Sequence, residues 1–351
     1  MVNFNWSELF PNKCSIIIFI LYIVLFVNQG ILVTASQDSN NLYNYDIITV
    51  VLLTEVLKLI TSVSLYCRDH SFASLFEDAW KNKNVLGLYF VPAFLYSLYN
   101  NLSFINLVTF DPTTYYLLLQ FRVVITAVLF EVIFKKKLSR KQWWSLLILT
   151  VGCMFKQVNF SLFFDTKENT TKSVKSTNFV WDINALFILI QASCSCLAGV
   201  YNEYLLKEPG ANVHIFIQNV FMYLDSILCN CFLLVLQGNF QAFSLTNIQK
   251  VFHYKVIMVM LNNTAIGIIT SFFLKNMNSI LKTYASALEL IFTAIFSYLL
   301  FSIPIHLNTI LAIVTVLYAM FLYTQNPVSN PAVNKGVRSN EDEEELLMEE
   351  V

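Results

Sequence analysis

Residues 91–124 read VPAFLYSLYNNLSFINLVTFDPTTYYLLLQFRVV. They set Asn100, Asn101, Asp111, Tyr115 and Arg122 inside or at the edge of segments otherwise apolar enough to cross a bilayer. A guanidinium and a pair of amides at membrane depth are costly unless they face protein or water, so their presence points to a hydrophilic ligand handled within the membrane.

The rest of the chain fits that reading. Of its 351 residues 56% are hydrophobic and 13% charged, with 31 phenylalanines and a mean hydropathy of +0.60. A soluble domain carries about a quarter charged residues, so the composition implies an all-α polytopic membrane protein. At roughly 20 apolar residues per crossing, the runs give ten spans, at about 15–35, 46–67, 84–107, 110–134, 142–160, 182–206, 213–236, 255–275, 280–302 and 307–324. The first of them lacks the short apolar core and small-residue cleavage site of a signal peptide, and is expected to be a retained helix.

An even count puts both termini on one side. With cytosolic termini, fourteen lysines and arginines fall on the cytosolic side, anchored by KKKLSRK at 135–141, against five on the other (Lys167, Lys172, Lys175, Lys250 and Lys255). The positive-inside rule favours that orientation. It makes the loop 161–181 lumenal, where Asn169-Thr170-Thr171 is an available glycosylation acceptor.

The same loop divides the chain into 1–160 and 182–325, five helices each. Laying Asp111–Phe134 over Asn278–Phe301 aligns Thr126-Ala127 with Thr293-Ala294 and Phe134 with Phe301. An odd number of helices per half makes any duplication inverted across the membrane, a transporter architecture with the substrate site near the midplane. Residues 326–351 are polar and end in EDEEELLMEEV, a composition expected to stay disordered on the cytosolic face. Within this tail the run Asp342 to Leu347 reads either as an acidic dileucine signal for a sorting adaptor or as a merely solubilising segment.

Seven cysteines form an odd set, nearly all in apolar runs, which argues against a disulfide framework and, with no histidine in either C-x-C run, against a metal site. No Gly-rich phosphate loop, H-E-x-x-H or G-x-S-x-G is present, so neither an enzyme, a bound cofactor nor a nucleic-acid partner is expected.

Helical spacing sorts the polar residues of the spans into faces. Tyr96 and Asn100 are i, i+4, as are Asn219 and Tyr223; Glu55 and Lys58 are i, i+3; Tyr115 and Arg122 lie two turns apart. Glu55 and Lys58 either neutralise each other or leave Lys58 to face a phosphate. Arg122 has no acid nearby on its own helix. Its counter-charge is therefore Glu289, its counterpart in the overlay, or a phosphate suited to its bidentate fork. Tyr115 overlays on Lys282. Asn100 and Asn101 point about 100° apart, more than one helix contact satisfies, and suit a ligand with both donors and acceptors.

In TEVLKL (54–59), VPAFLYSLYNNLSF (91–104), DPTTYYLLLQFRVV (111–124), KKLSRKQWWSLLILTVGC (136–153), GVYNEYLLK (199–207) and QNVFMYL (218–224), the chain resembles the nucleotide-sugar transporters of the Golgi and ER, in the branch with the CMP-sialic acid and UDP-galactose carriers. The resemblance spans the ten-helix region nearly end to end. It implies the drug/metabolite transporter fold and Golgi import of a nucleotide sugar, UDP-galactose being expected, in exchange for UMP by alternating access. It places nucleotide-binding residues at Tyr96, Asn100, Asn101, Tyr115, Asn219, Tyr223 and Lys282, with Lys58 a weaker match. At 122 this chain has Arg where the CMP-sialic acid branch has Lys, and at 225 Asp where that branch has Ser, which speaks against a cytidine preference. The alternative is a carrier-like protein that no longer transports and acts as a trafficking or interaction partner through its acidic tail.

Overall fold

The structure, a computed structural model, describes residues 10, 12–36, 44–109, 118–157, 183–236, 244–301, 307–325 and 327. The elements are α1 (Lys13–Ser36), α2 (Ile47–Asp69), α3 (Phe72–Lys81), α4 (Lys83–Gly87), α5 (Phe90–Thr109), α6 (Arg122–Phe134), α7 (Arg140–Gln157), α8 (Ile183–Lys207), α9 (Ile215–Leu236), α10 (Leu245–Val251), α11 (Tyr254–Asn276), α12 (Ser279–Phe301) and α13 (Leu307–Gln325). No strand occurs among the described residues. Each expected span overlaps one of the longer helices, the third also taking in α4 and the fourth matched by α6 only over Arg122–Phe134; seven of the helices (α1, α2, α8, α9, α11, α12 and α13) are long and apolar enough to cross a membrane. The loop 161–181, with Asn169, and the tail from 326 onward, apart from Pro327, lie outside the described residues.

Side-chain polarity runs opposite to that of a soluble bundle. On α1 the exposed apolar side chains are Ile16, Ile17, Ile20, Leu21 and Val24, while Phe19, Tyr22, Ile23 and Val27 pack inward. The outward face is dressed for lipid. Because lipid tails are as apolar as leucine, burial of that kind cannot hold helices together, and close approach and interhelical hydrogen bonds must. A Cβ on Gly152 of α7 would lie 3.1 Å from Thr315 and 3.2 Å from Val316 of α13, so the two helices meet there at nearly backbone distance. The buried Ser145 hydroxyl donates to the Ala319 carbonyl at 2.8 Å and is also hydrogen-bonded to Tyr284, tying α7 to both α13 and α12. Asn28 of α1 donates to Asn262 of α11 at 3.1 Å.

Helix ends follow local chemistry. Asp46 caps α2 by accepting the Thr49 amide at 2.8 Å. At the basic turn after α6, Lys135 adopts φ 54°, a left-handed conformation that closes the helix. Glu131 then accepts the Leu138 amide at 2.5 Å and the Trp143 indole at 3.2 Å. Ser139 and Gln142 form a reciprocal capping box, at 2.7 and 3.3 Å, that starts α7.

The helices pack in a definite set of pairs. α7 lies along α13 and α2 along α9; α1 meets α11 and α12; α8 meets α5 and α6; α2 meets α11, α5 meets α9, and α6 meets α12. The largest core cluster joins α1, α6, α7, α8, α11, α12 and α13 around Phe130, Leu146, Val200, Phe273 and Ala285. α6, α8 and α12 meet beside it.

Candidate functional site

The start of α12 is where the site is fixed. Asn278 accepts the Leu281 amide at 2.7 Å, an N-cap bond. Glu203 of α8, fully buried, accepts the Ser279 amide at 2.7 Å and its hydroxyl at 2.5 Å. The other Glu203 oxygen takes the Lys207 ammonium at 2.7 Å, and Lys207 also donates to the Met277 carbonyl. Lys207, expected in a loop, is instead buried, its side chain 2% exposed. An unpaired ion at this depth is untenable, and here both charges have partners. The arrangement ties the last turn of α8 to the α11–α12 junction and sets the direction in which Lys282 leaves α12.

Lys282 leaves it toward Arg122. The two side chains line one cavity of about 120 Å³, with Gln120, Thr126, Ser195 and Ser286 among its polar walls. Gly199 of α8 also lines it, and a Cβ there would sit 3.6 Å from the Tyr96 hydroxyl, so Tyr96 of α5 stands directly behind that wall. The expected Arg122–Glu289 ion pair is not formed: the ion pairs among the described residues are Glu55–Lys58, Arg68–Asp69 and Glu203–Lys207. Tyr22 of α1 instead occupies the ground within electrostatic reach of both, its hydroxyl 3.4 Å from Ser286. Two cations facing one polar cavity with no carboxylate between them make a site for an anion.

A second group of expected residues gathers elsewhere. Lys58 is paired with Glu55 at 2.7 Å, so mutual neutralisation is realised; its ammonium also lies 5.6 Å from the centre of the Tyr223 ring, a cation–π approach. Gly267 of α11 makes room for both, because a Cβ there would meet the Lys58 and Tyr223 side chains at 2.9 Å. The Asn219 amide nitrogen on α9 is buried without a hydrogen-bond partner, and the Tyr223 hydroxyl, one turn further on, is buried with only a weak approach from Ser271. Two such polar atoms on one face are what a ligand with donors and acceptors would satisfy. This group does not line the Arg122–Lys282 cavity. The side chains of Asn100 and Asn101, and Tyr115 and Asp111 altogether, lie outside the described residues.

The reading from sequence missed the cavity's hydroxyls and the Glu203–Lys207 pair. The first had a signal: Ser279, Lys282, Thr283 and Ser286 are spaced i, i+3, i+4 and i+7, a polar stripe down one face of an apolar helix. At 120 Å³ the cavity is also smaller than ligand pockets of about 300–1,000 Å³. It accommodates a phosphate-sized group, and a whole nucleotide sugar requires the helices to part.

A family model described as nucleotide-sugar transporter matches residues 12–324. The UDP-galactose transporter senju of Drosophila melanogaster is 58% identical over 349 residues, covering 93% of this chain and 90% of its own. The CMP-sialic acid transporter 1 of Oryza sativa subsp. japonica is 32% identical, covering 86% of this chain and 92% of its own. A solved crystal structure superimposes with a TM-score of 0.61 at 12% identity over 90% of this chain and 97% of its own, a likeness of fold alone.

Proposed function

The chain belongs to the nucleotide-sugar transporter family, and on that premise we propose that it is a Golgi antiporter importing UDP-galactose into the lumen in exchange for UMP by alternating access. The family consists of carriers rather than enzymes. The observation that carries the reading is the shared cavity of Arg122 and Lys282, neither held by a carboxylate among the described residues. A diphosphate or monophosphate bridging the two would replace their mutual repulsion with two charge-assisted contacts. Coupling follows from the same repulsion. A site that closes favourably only around a phosphate reorients when loaded and stalls when empty, because a ligand shifts a two-state equilibrium only by its differential affinity for the two states. In this reading Tyr96, Asn100, Asn101, Tyr115, Asn219 and Tyr223 receive the nucleoside, and Lys58, neutralised by Glu55, borders that group beside the Tyr223 ring. The uridine cargo is supported by the relative named a UDP-galactose transporter and by Asp225, where the sialic acid branch carries Ser.

The architecture belonging to this mechanism is ten crossing helices in two inverted five-helix repeats, with both termini cytosolic. What supports it is the pairing list. Exchanging the five long segments of the first half (α1, α2, α5, α6, α7) with those of the second (α8, α9, α11, α12, α13) turns α1–α11 into α8–α5, α1–α12 into α8–α6, and α2–α11 into α9–α5. It returns α7–α13, α2–α9 and α6–α12 to themselves.

The test is counterflow in proteoliposomes. Vesicles preloaded with UMP are expected to take up labelled UDP-galactose, empty vesicles far less, and vesicles preloaded with CMP to resemble the empty ones. Arg122→Ala and Lys282→Ala are each expected to abolish exchange while leaving the thermal melt of the protein near wild type. Uptake at the wild-type rate by either variant would remove that residue from the binding site, and equal uptake with and without internal UMP would end the exchange mechanism.

A further inference from the structure

The ten-residue helix α3 is unlike its neighbours. It starts three residues after α2 ends, and α5 begins nine residues after its last residue, so it is bracketed by long apolar helices and held at the level where they leave the bilayer. Its inward side is fully engaged. Leu75 is buried against the base of α9, Asp78 accepts the Tyr66 hydroxyl at 2.8 Å, and Ser74 lies 3.2 Å from the same hydroxyl. Its outward side is not. Phe72, Phe76 and Trp80, at i, i+4 and i+8, are 59%, 61% and 74% exposed, and form one continuous aromatic ridge. The Phe72 and Phe76 rings meet edge to face with centroids 5.3 Å apart, and the Lys83 ammonium stands 4.6 Å from the Trp80 ring centre. A ridge of this kind in water would be an aggregation liability.

We infer that this ridge is a lipid-docking surface, seated in the head-group and acyl boundary of an anionic leaflet of the bilayer that α2 crosses. The occupant follows from position and charge together. An aromatic face with lysines at its border, lying crosswise at the end of a span, has the form of an interfacial helix, and tryptophan at the head-group level is the residue that such an interface selects. Lys81 and Lys83 flank Trp80; of the nearby acids, Asp69 is paired with Arg68 at 3.2 Å and Asp78 is held by Tyr66, while Glu77 is exposed one turn before Lys81. With Glu77 set against Lys81, Lys83 over the Trp80 ring is the cation left at the lipid surface, where anionic head groups attract it. The inference has a mechanical side. The Tyr66 ring, held by α3, stacks on His70 with centroids 4.7 Å apart and meets His214 edge-on at 5.3 Å, just before α9 begins. A helix pinned to the leaflet therefore holds the end of α2, which carries Lys58, and the start of α9, which carries Asn219 and Tyr223.

The test uses the full chain and its Trp80→Phe variant in nanodiscs, and reads the difference between their emission spectra, which isolates Trp80 while the other tryptophans stay in place. With phosphatidylserine in the bilayer the difference spectrum is expected to be blue-shifted, and lipids brominated near the top of the acyl chain are expected to quench it roughly two-fold or more. Lys81→Gln with Lys83→Gln should weaken that quenching in anionic discs and leave it unchanged in purely zwitterionic ones. A water-like, unquenched difference spectrum would overturn the inference. So would a blue-shifted spectrum that bromine does not quench, because the ridge would then be covered by protein, a second copy of this chain included.

Discussion

At the scale of single residues, Glu203 carries more of the site than any side chain that faces the cavity. One carboxylate neutralises Lys207 and supplies the hydrogen-bond acceptors for the first amide and hydroxyl of α12. Removing the two partners should therefore not be equivalent. Lys207→Met leaves a buried anion that keeps its Ser279 contacts, whereas Glu203→Ala strands a buried cation and also leaves the Ser279 amide without its acceptor. Each should cost about 3–5 kcal/mol because an uncompensated buried charge remains, with Glu203→Ala the more severe by about 1 kcal/mol for the Ser279 amide left without an acceptor. Thermal unfolding in detergent, monitored on both variants, checks the order; a Glu203→Ala melt above that of Lys207→Met would contradict this account of the α12 start. Sequence could not reveal the pair, because an acid and a base four residues apart at a span end read equally well as a solvated edge. Their burial comes from the α11–α12 junction folding over them, a contact between positions 76 residues apart along the chain.

At the scale of elements, the apolar runs located most long helices to within a few residues, since length and composition decide what can cross a bilayer; the expected starts at 84 and 110 fall well before the helices Phe90–Thr109 and Arg122–Phe134. Which helix lies against which was not legible. Membrane helices share no core pattern to match, and their contacts are chosen by small residues and hydrogen bonds whose partners sit far off in sequence. Gly152 is such a choice. A larger side chain there must displace Thr315 and Val316, whose atoms already lie 3.1 and 3.2 Å from where a Cβ would begin. Gly152→Leu is expected to lose about 1–3 kcal/mol by overpacking the α7–α13 seam, while Gly152→Ala needs only a small shift. A thermal melt of Gly152→Leu equal to wild type would mean that the seam is looser than its geometry. The candidate site shows the same division: Arg122 and Lys282 stood out as charges in apolar runs, but that they meet in one cavity, and that Lys58 is spent on Glu55, depends on helix rotations that spacing along one chain leaves open.

At the scale of the whole molecule, the proposed even number of crossings makes a direct prediction. In sealed Golgi vesicles of cytosol-out orientation, tags at the amino and carboxyl termini should both be removed by added protease, and a tag inserted in the loop 161–181 should survive until detergent is added. Opposite protection of the two termini would require an odd number of crossings and undo the inverted-repeat reading. The Arg122–Glu289 overlay is instructive here too. Arg122 and Glu289 do not pair, and Tyr22 of α1, its hydroxyl 3.4 Å from Ser286, lies within electrostatic reach of both.

The self-mapping of the helix pairs has a last consequence. If each half of the bundle can take up the arrangement of the other, then one set of coordinates encodes two shapes of the molecule. Giving α1–α7 the internal geometry of α8–α13, and the reverse, would generate the oppositely facing conformer with its main helix pairs kept, so the swing between the two needs hinges and sliding seams and trades only smaller contacts such as α8–α11.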